Sequence, residues 1–303
     1  MAYLLDGIKV IDLASFLAGP GAATLMADYG AEVIKIEPPG GDGYRRLHGN
    51  WEVDYNWQLT SRNKRGMSLD VRSEAGRDVL MKLLEEADVM VTNFRNDQLE
   101  TYGISWQQLH ELFPQLILAQ LTGYGNVGPD RERRGYDATA FFARGGLMEI
   151  TRQPNEAPPF PPGGIGDHST AMTLFAGIMM ALYKRDREGE GSFVETSLIA
   201  TGCWTNGMQL QGAIAGFDIG QIDGRALPRP TLLRLRLVGL HAADAQLPLV
   251  GQQFQLLACL QCAAEHRAGD DGAMTVDGKG AIDGHAKKTV ETVGLHVVRG
   301  VCD

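Results

Sequence analysis

Strand-like apolar runs alternate with helical segments over the N-terminal part of the chain. Residues 8–13 are β-branched and apolar, which predicts a strand, and Gly19-Pro20-Gly21 predicts a turn. Residues 22–29 have helical composition, and residues 31–36 are strand-like again. This order predicts a β-turn-α-β unit. Parallel strands need such helical crossovers, because a short turn cannot return the chain to the same end of the sheet.

The alternation continues for most of the chain. Further predicted strands are residues 67–71, 88–92, 116–121 and 192–196. Predicted helices are residues 73–87 with Ser73 as N-cap, a helix that begins with the capping box of Ser105 and Gln108 and is stopped by Pro114, a helix from Asp167 or His168 to about residue 185, and residues 198–215. Strands that alternate with helices indicate an α/β fold with a doubly wound parallel sheet.

Two stretches depart from this alternation. Residues 123–166 carry Gly or Pro every few positions and predict a long loop with a short helix over residues 136–142, and long loops in compact domains are often functional. Beyond residue 223 the pattern changes, with a strand-like run at 232–237, a helical segment at 251–265 and a tail of small residues. We therefore expect a large domain over 1–215, a linker over 216–230, and a divergent or incomplete smaller C-terminal domain over 231–303.

Composition and charge narrow the class of protein. The 303 residues are 44% hydrophobic and 21% charged, as is usual for a globular protein, and the net charge of −9 disfavours nucleic acid or an anionic membrane as the main partner. The N-terminus has no basic region followed by an apolar run, and the longest apolar stretch, residues 171–183, is too short to span a bilayer. Four scattered cysteines fit a reducing compartment, so a cytoplasmic protein is expected.

Two motifs suggest ligands that the remaining residues do not support. Gly19-Pro20-Gly21 with Glu37 after the second strand is similar to a dinucleotide fingerprint, but Thr24 replaces its third glycine and Pro20 removes a backbone donor. Cys259 and Cys262 with His266 have metal-like spacing but supply too few ligands for zinc. No dinucleotide and no metal are therefore expected.

Two basic runs stand out in this acidic chain. They are residues 62–65 and residues 131–134, and each precedes a strand or a Gly-rich loop. A basic run is usually a solvated surface. Arginine and lysine are also the usual partners of phosphate groups, so phosphate recognition remains an equal alternative.

Asp167 is the strongest candidate for catalysis. It follows three glycines within four residues, at the predicted start of a helix, where free backbone N–H groups and the helix dipole favour an ionised carboxylate. A simple N-capping aspartate is the alternative interpretation. The N–H groups of Gly163, Gly164 and Gly166 are also expected to stabilise an oxyanion.

Many separate segments resemble the family III CoA-transferases, the formyl-CoA and carnitine CoA-transferase type, which are related to the 2-methylacyl-CoA racemases. These segments follow one another in order with compatible spacing from residue 5 to about residue 215. They are Leu5-Asp6-Gly7-Ile8-Lys9-Val10-Ile11-Asp12-Leu13, Leu17-Ala18-Gly19-Pro20, Asp28-Tyr29-Gly30-Ala31-Glu32-Val33-Ile34-Lys35-Ile36-Glu37, Arg62-Asn63-Lys64-Arg65, Asp88-Val89-Met90-Val91-Thr92-Asn93-Phe94, Gly123-Tyr124-Gly125, Gly135-Tyr136-Asp137, Gly145-Gly146-Leu147-Met148 and Gly166-Asp167.

The resemblance implies a function and a site. Asp167 falls on the catalytic aspartate of the family, which attacks an acyl-CoA thioester to give an acyl-aspartyl mixed anhydride, after which CoA passes to an acceptor carboxylic acid. The resemblance also implies a Rossmann-like large domain that binds coenzyme A as the acyl-CoA substrate, and an interlocked homodimer; no metal is expected. The residues expected near the CoA and acyl groups are Phe16, Leu17, Ala18, Leu69, Asn93, Phe94, Arg134 and Tyr136.

Two alternatives stay open. The first is a racemase. The related racemases carry a histidine where this chain has Tyr136, and tyrosine, with a pKa of about 10, is a poor base near neutrality. This favours CoA transfer over racemisation, although His168 is a conceivable substitute base.

The chain also departs from the family. Pro38-Pro39 replaces an arginine after the second strand, and the resemblance ends near residue 228, so a truncated, inactive CoA-binding homologue is the second alternative.

Overall fold

A computed structural model describes residues 3–47, 52–153 and 155–217. Within these residues six strands form one parallel sheet in the order β3-β2-β1-β4-β5-β6, which confirms the predicted doubly wound α/β fold. The strands are β1 (Lys9–Leu13), β2 (Glu32–Glu37), β3 (Lys64–Ser68), β4 (Val89–Thr92), β5 (Ile117–Thr122) and β6 (Phe193–Ser197).

Helices cover both faces of this sheet. The α-helices are α1 (Ala18–Asp28), α2 (Tyr55–Ser61), α3 (Glu74–Leu84), α4 (Asn96–Tyr102), α5 (Trp106–Leu112), α6 (Leu147–Ile150), α7 (Ile165–Glu188), α8 (Leu198–Thr205) and α9 (Gly207–Ile214). A 3-10 helix spans Gly43–Leu47 and a π-helix spans Asp137–Arg144.

Successive residues of each central strand enter two different cores. Val10 of β1 packs with α1 and α7 on one face, whereas the next residue, Ile11, packs with α3, α4 and α5 on the other. Side chains of a strand point alternately to the two faces of the sheet, so a strand with helices on both faces is apolar at consecutive positions. This is why β1, β4 and β5 are continuous apolar runs that are recognisable from the sequence.

Strand β3 lies earlier in the chain than predicted. It spans Lys64–Ser68, not residues 67–71, and Lys64 pairs with Val33 of β2. Lys64 and Arg65 made this stretch look like a solvated basic run. The side chain of Lys64 is instead only 1% exposed, because it forms an ion pair inside the protein.

Helix α1 also begins earlier than predicted, at Ala18 and not at residue 22. The first turn of a helix tolerates proline, since its N–H groups have no intrahelical partner, so Pro20 does not end α1. Gly19 is required by close packing, because a Cβ atom there would lie 2.5 Å from Cβ of Ala14.

The predicted helix over 198–215 is interrupted at Asn206. Helices α8 and α9 meet at this buried residue, whose Nδ2 donates to the carbonyl oxygen of Gly145 at 2.9 Å. The predicted short helix over 136–142 is the longer π-helix Asp137–Arg144. A contact with a distant carbonyl group has no local sequence pattern, so the break at Asn206 could not be read from composition.

Two predicted helix starts are confirmed. The hydroxyl oxygen of Ser73 accepts the N–H of Gly76 at 3.1 Å at the start of α3, and Oε1 of Gln108 accepts the backbone N–H of Ser105 at 3.1 Å at the start of α5. The predicted boundaries 1–215, 216–230 and 231–303 stay predictions, because residues 218–303 lie outside the described residues. In the described part of the chain, none of the helices has the length and apolar character needed to cross a bilayer.

Candidate active site

The sheet changes winding direction between β1 and β4. The chain leaves β1 towards α1 on one face and leaves β4 towards α4 on the other, so a crevice opens at the carboxyl ends of these two strands. Asn93, directly after β4, bridges the crevice, because its Oδ1 accepts the N–H of Ser15 and its Nδ2 donates to the oxygen of Ser15, both at 3.0 Å. This is the usual ligand position in open α/β sheets.

The loop between β1 and α1 holds two of the predicted CoA-binding residues. Phe16 has a positive φ of 64° and a 42% exposed side chain, and its N–H donates to Oδ1 of Asp42 at 3.1 Å. Leu17 reaches the start of α7, since a Cβ atom on Gly164 would lie 3.7 Å from its Cδ1. The loop therefore connects the crevice with the helix that carries Asp167.

A buried group of charges lies beneath this loop. Lys64 pairs with Asp12 at 2.8 Å, and Lys35 lies 3.7 Å from Asp12 and 3.3 Å from Asp42. Burial favours the neutral form of Asp12, but the two ammonium groups more than offset it, so the pKa of Asp12 is lowered. Lys35 also donates to the carbonyl oxygen of Ala14, so the buried charges stabilise the conformation of the loop between β1 and α1.

Asp167 is the third residue of α7 and is half-buried. The helix begins two residues before it, after Gly164 in a left-handed conformation with φ of 85°, so Asp167 is not the N-cap. Burial, together with the negative charge of Asp137, raises the pKa of Asp167 to about 7. This corrects the expectation that the start of the helix favours its ionised form.

The backbone donors at the start of α7 point to a different carboxylate. The N–H of Gly164 donates to Oδ2 of Asp137 at 2.7 Å, and the N–H of Gly166 donates to Oδ1 of Asp137 at 3.0 Å. Two of the three glycines expected to bind an oxyanion are therefore occupied, and Gly163 is the one that remains. Sequence reasoning included Asp137 in a family segment but assigned it no role.

Tyr44 is a second residue that sequence reasoning missed. It lies in the 3-10 helix after β2, and burial together with the charge of Asp167 raises its pKa. Its ring centroid is 6.5 Å from that of Phe16. The glycines at 40, 41 and 43 around it were the only local signal, because they allow the tight course that brings Tyr44 towards Asp167.

The long loop after β5 returns to the sheet through two glycines. A Cβ atom on Gly123 would lie 2.5 Å from the Cα of Gly135, so only glycine permits this approach. The return places Tyr136 at the N-terminus of the π-helix, where it is 58% exposed. Arg134, just before it, is exposed and forms no ion pair within the described residues.

The remaining residues predicted to contact CoA lie at different distances from the switch point of the sheet. Ala18 is buried in the first turn of α1, and Phe94, after β4, packs edge to face against Tyr102 with ring centroids 5.6 Å apart. Leu69 follows β3 and donates its N–H to the oxygen of Glu37 at 2.8 Å. Leu69 thus lies beyond β2, farther from the switch point than Phe16, Leu17 and Asn93.

The alternative ligand motifs have structural roles in the described residues. Both carboxylate oxygens of Glu37, the acid of the apparent dinucleotide fingerprint, accept from Arg45, at 2.7 and 2.8 Å. In the basic run 62–65, Arg62 pairs with Asp28 at 2.6 Å and Arg65 pairs with Glu32. Cys259, Cys262 and His266 lie outside the described residues, within which no group of three or more candidate metal ligands occurs.

Known proteins share this sequence over most of the described chain. It is 41% identical over 222 residues to (R)-2-hydroxy-4-methylpentanoate CoA-transferase of Clostridioides difficile, covering 71% of this chain and 56% of that protein. It is 40% identical over 216 residues to cinnamoyl-CoA:phenyllactate CoA-transferase of Clostridium sporogenes, covering 69% and 52%. The chain thus spans about half the length of these relatives.

Solved structures agree with the fold. A CAIB/BAIF family protein from Brucella suis superposes with a TM-score of 0.67 at 32% identity, covering 76% of this chain and 60% of that one. Rv3272 from Mycobacterium tuberculosis gives 0.67 at 28% identity, covering 72% and 62%. The sequence model described as CoA-transferase family III matches residues 5–234, so the resemblance found in the sequence is confirmed and the chain belongs to CoA-transferase family III.

Proposed function

We propose that this chain is an acyl-CoA transferase in which Asp167 is the nucleophile that moves CoA from an acyl-CoA thioester to a carboxylic acid. The position of Asp167 carries the proposal. It is a half-buried carboxyl group at the start of α7, next to the loop from β1 that borders the switch-point crevice. A nucleophile at the edge of a ligand crevice, on a long helix, is suited to covalent catalysis.

The proposed reaction proceeds through exchanges at the Asp167 carboxyl group. A carboxylate oxygen attacks the thioester carbonyl, the C–S bond breaks, and an acyl-aspartyl mixed anhydride and CoA thiolate result. The thiolate attacks the aspartyl carbonyl and releases the donor acid. The acceptor carboxylate then displaces CoA from this thioester, and CoA thiolate attacks the new acyl group, which frees Asp167. The covalent intermediates thus divide one difficult substitution into several easier steps.

The crevice offers groups suited to CoA. We propose that Phe16, Leu17 and Ala18 line the thioester end, together with Asn93 and Phe94. Arg134 is exposed and has no ion-pair partner in the described part of the chain, so its guanidinium is free to bind a phosphate group. Leu69 and Tyr136 complete the proposed set, with Tyr136 at the N-terminus of the π-helix.

A trapping experiment tests the role of Asp167. The protein is incubated with an acyl-CoA donor and hydroxylamine, and its peptides are analysed by mass spectrometry. An anhydride or thioester at Asp167 is converted to a hydroxamate on that residue, whereas Asp167→Asn yields none. The matched control is Asp97→Asn, an exposed aspartate paired with Arg95 in α4, which is expected to be trapped like the wild type. Absence of hydroxamate at Asp167 during turnover would refute the proposal.

The names of the relatives suggest the class of carboxylic acid that accepts CoA. The two bacterial relatives described above carry 2-hydroxy acids in their names, (R)-2-hydroxy-4-methylpentanoate and phenyllactate. We propose that this chain also accepts a 2-hydroxy carboxylic acid. A panel that pairs each 2-hydroxy acid with its 2-deoxy analogue tests this, and equal rates for both members of every pair would contradict it.

A racemase is the second candidate, and one observation favours it. A carboxyl group with a pKa of about 7 is well matched to proton transfer near neutrality. Exchange of the α-hydrogen of a 2-methylacyl-CoA for deuterium from the solvent would reveal this activity. His168 is exposed on the turn that carries Asp167, and its place as a second base is part of the same test.

The complete assembly is also proposed. The large domain 1–215, the linker 216–230 and the C-terminal region 231–303 are proposed to form an interlocked homodimer in the cytoplasm. Exposed apolar side chains on α7 and α9, among them Tyr183 and Met208, support an oligomer. Size-exclusion chromatography with a CoA titration separates this from the inactive homologue: a monomer or aggregate that binds no CoA would support the latter.

A further inference from the structure

Asp137 connects two parts of the chain that are far apart in sequence. It is the first residue of the π-helix, and its two carboxylate oxygens accept the backbone N–H groups of Gly164 and Gly166 at 2.7 and 3.0 Å. These partners are 27 and 29 residues away. The N-cap of α7 is Gly164, which has no side chain, so Asp137 supplies from a distance the capping that a local serine or aspartate supplies elsewhere.

The contact leaves no room for adjustment. A Cβ atom on Gly166 would lie 2.2 Å from Oδ1 of Asp137 and 2.3 Å from Cγ of Phe141, one turn further along the π-helix. Only glycine at position 166 therefore allows the start of α7 to approach Asp137 this closely. The turn of α7 that contains Asp167 is consequently held against the π-helix on one side, by the carboxylate and by the ring.

We propose that Asp137 is a positioning residue for Asp167: its carboxylate fixes the first turn of α7 and places a negative charge beside the Asp167 carboxyl group. This inference rests on the proposed role of Asp167 as nucleophile. The positive end of a helix normally stabilises a nearby carboxylate. Here the donors of that end are bound by Asp137, so Asp167 faces the charge of Asp137 in place of free N–H groups.

The ionisation of the neighbouring groups is consistent with this arrangement. Burial raises the pKa of Asp137, but the N–H groups of Gly164 and Gly166 and the charge of His168 oppose that rise. Burial and the charge of Asp137 raise the pKa of Asp167 to about 7. Burial and the charge of Asp167 raise the pKa of Tyr44, on the 3-10 helix. The two N–H groups favour the charged form of Asp137, and that charge in turn disfavours the charged form of Asp167.

A direct titration of Asp167 tests the proposal without substrate. The protein is labelled with 13C at the aspartate carboxyl carbons, and the Asp167 signal is assigned by its loss in Asp167→Asn. We expect a midpoint near 7 in the wild type and a midpoint lower by about one unit in Asp137→Asn, because a like charge has been removed. The matched control Asp97→Asn removes an exposed carboxylate of α4 and leaves the midpoint unchanged.

Several outcomes would overturn the proposal. A wild-type midpoint near the ordinary aspartate value would do so, and this result does not depend on whether any variant folds. An unchanged midpoint in folded Asp137→Asn would do so as well. Asp137→Glu keeps the charge, so its midpoint is expected to stay closer to that of the wild type than the midpoint of Asp137→Asn; equal shifts in both variants would contradict the assignment.

Kinetics then separate positioning from general stability. In an active preparation the acidic limb of the kcat profile follows the Asp167 midpoint, so Asp137→Asn shifts this limb to lower pH. A purely structural role would lower kcat at every pH and leave the limb in place. If the titration shifts as expected but no transfer occurs with any donor, the positioning role stands and the proposed function fails.

Discussion

Asp12 and Asp167 are two carboxyl groups near the same edge of the sheet with opposite ionisation behaviour. Asp12 is completely buried, yet its pKa is lowered. Asp167 is only partly buried, yet its pKa is raised to about 7. Burial disfavours the charged form in both cases, so the neighbours make the difference. Lys35 and Lys64 surround Asp12, whereas Asp137 faces Asp167.

This difference distinguishes a structural carboxylate, Asp12, from the proposed nucleophile, Asp167. Asp12 is neutralised by two lysines that also bind the oxygens of Ala14 and Pro20, so its charge organises the loop between β1 and α1. Asp167 has no such partner within the described residues and retains a proton that it can lose near neutral pH. Groups with pKa values close to the working pH are the ones that can change state during a reaction.

The largest effect is expected from removing a cation next to Asp12. Lys64→Met leaves Asp12 with one lysine in the interior, and breaking a buried pair in this way typically costs about 3–5 kcal/mol. We expect such a loss of unfolding free energy in urea at pH 8. The lowered pKa of Asp12 contributes its full stability above the unfolded value of 3.8, so the loss shrinks only as the pH falls below that value, through the lower pKa of the folded protein.

An exposed ion pair provides the control for Lys64. Lys9 pairs with Glu86 at 2.7 Å, and both side chains are largely exposed. Lys9→Met is expected to change stability by only about 0–1 kcal/mol. If the two lysine variants lost similar amounts, the buried charges would not have the structural role assigned to them.

The second prediction has the opposite sign. Because the pKa of Asp167 is raised in the folded protein, ionisation opposes folding, and Asp167→Asn should stabilise the chain. The gain is absent well below the unfolded value of 3.8, grows as the pH rises and is complete above about 7. At pH 8 about 2–3 kcal/mol is expected, which urea unfolding at several pH values measures. A gain that is equal at all pH values would contradict the raised pKa.

The third prediction concerns the space between Asp137 and α7. Gly166→Ala places a methyl group against Asp137 and Phe141, and overpacking of this kind costs about 1–3 kcal/mol. The Asp167 midpoint in the 13C titration should move with it. Gly207→Ala is the matched control, since a Cβ atom there meets nothing within 4 Å, and its stability should be unchanged or slightly higher. A harmless Gly166→Ala would show that the contact is not tight.

The smallest effect is expected at an ordinary local cap. Ser73 caps α3 through the N–H of Gly76, three residues away, and Ser73→Ala should cost about 1 kcal/mol in urea unfolding. Because α3 packs on the face of the sheet opposite to α7, the Asp167 midpoint should not change. A shift of that midpoint would indicate that general loosening, and not Asp137, controls Asp167.

Much of the fold could be predicted, since its signals are local. The strands β1, β4 and β5 are continuous apolar runs, and Ser73 and Ser105 mark the starts of helices by their own spacing to Gly76 and Gln108. The predictions were wrong where contacts with residues far apart in the sequence outweigh the local sequence pattern. Lys64 looks solvated in the sequence but is buried as the partner of Asp12, 52 residues away.

The alternation of strands and helices, the family and the choice of Asp167 as the candidate nucleophile all follow from the sequence. It did not determine the ionisation of Asp167 or the partner of the N–H groups at the start of α7. Those depend on Asp137, which lies 27 residues before Gly164 and reaches it because the loop after β5 closes through Gly123 and Gly135. Electrostatic interactions act through space and not along the chain, so only the tertiary structure decides which charges face each other.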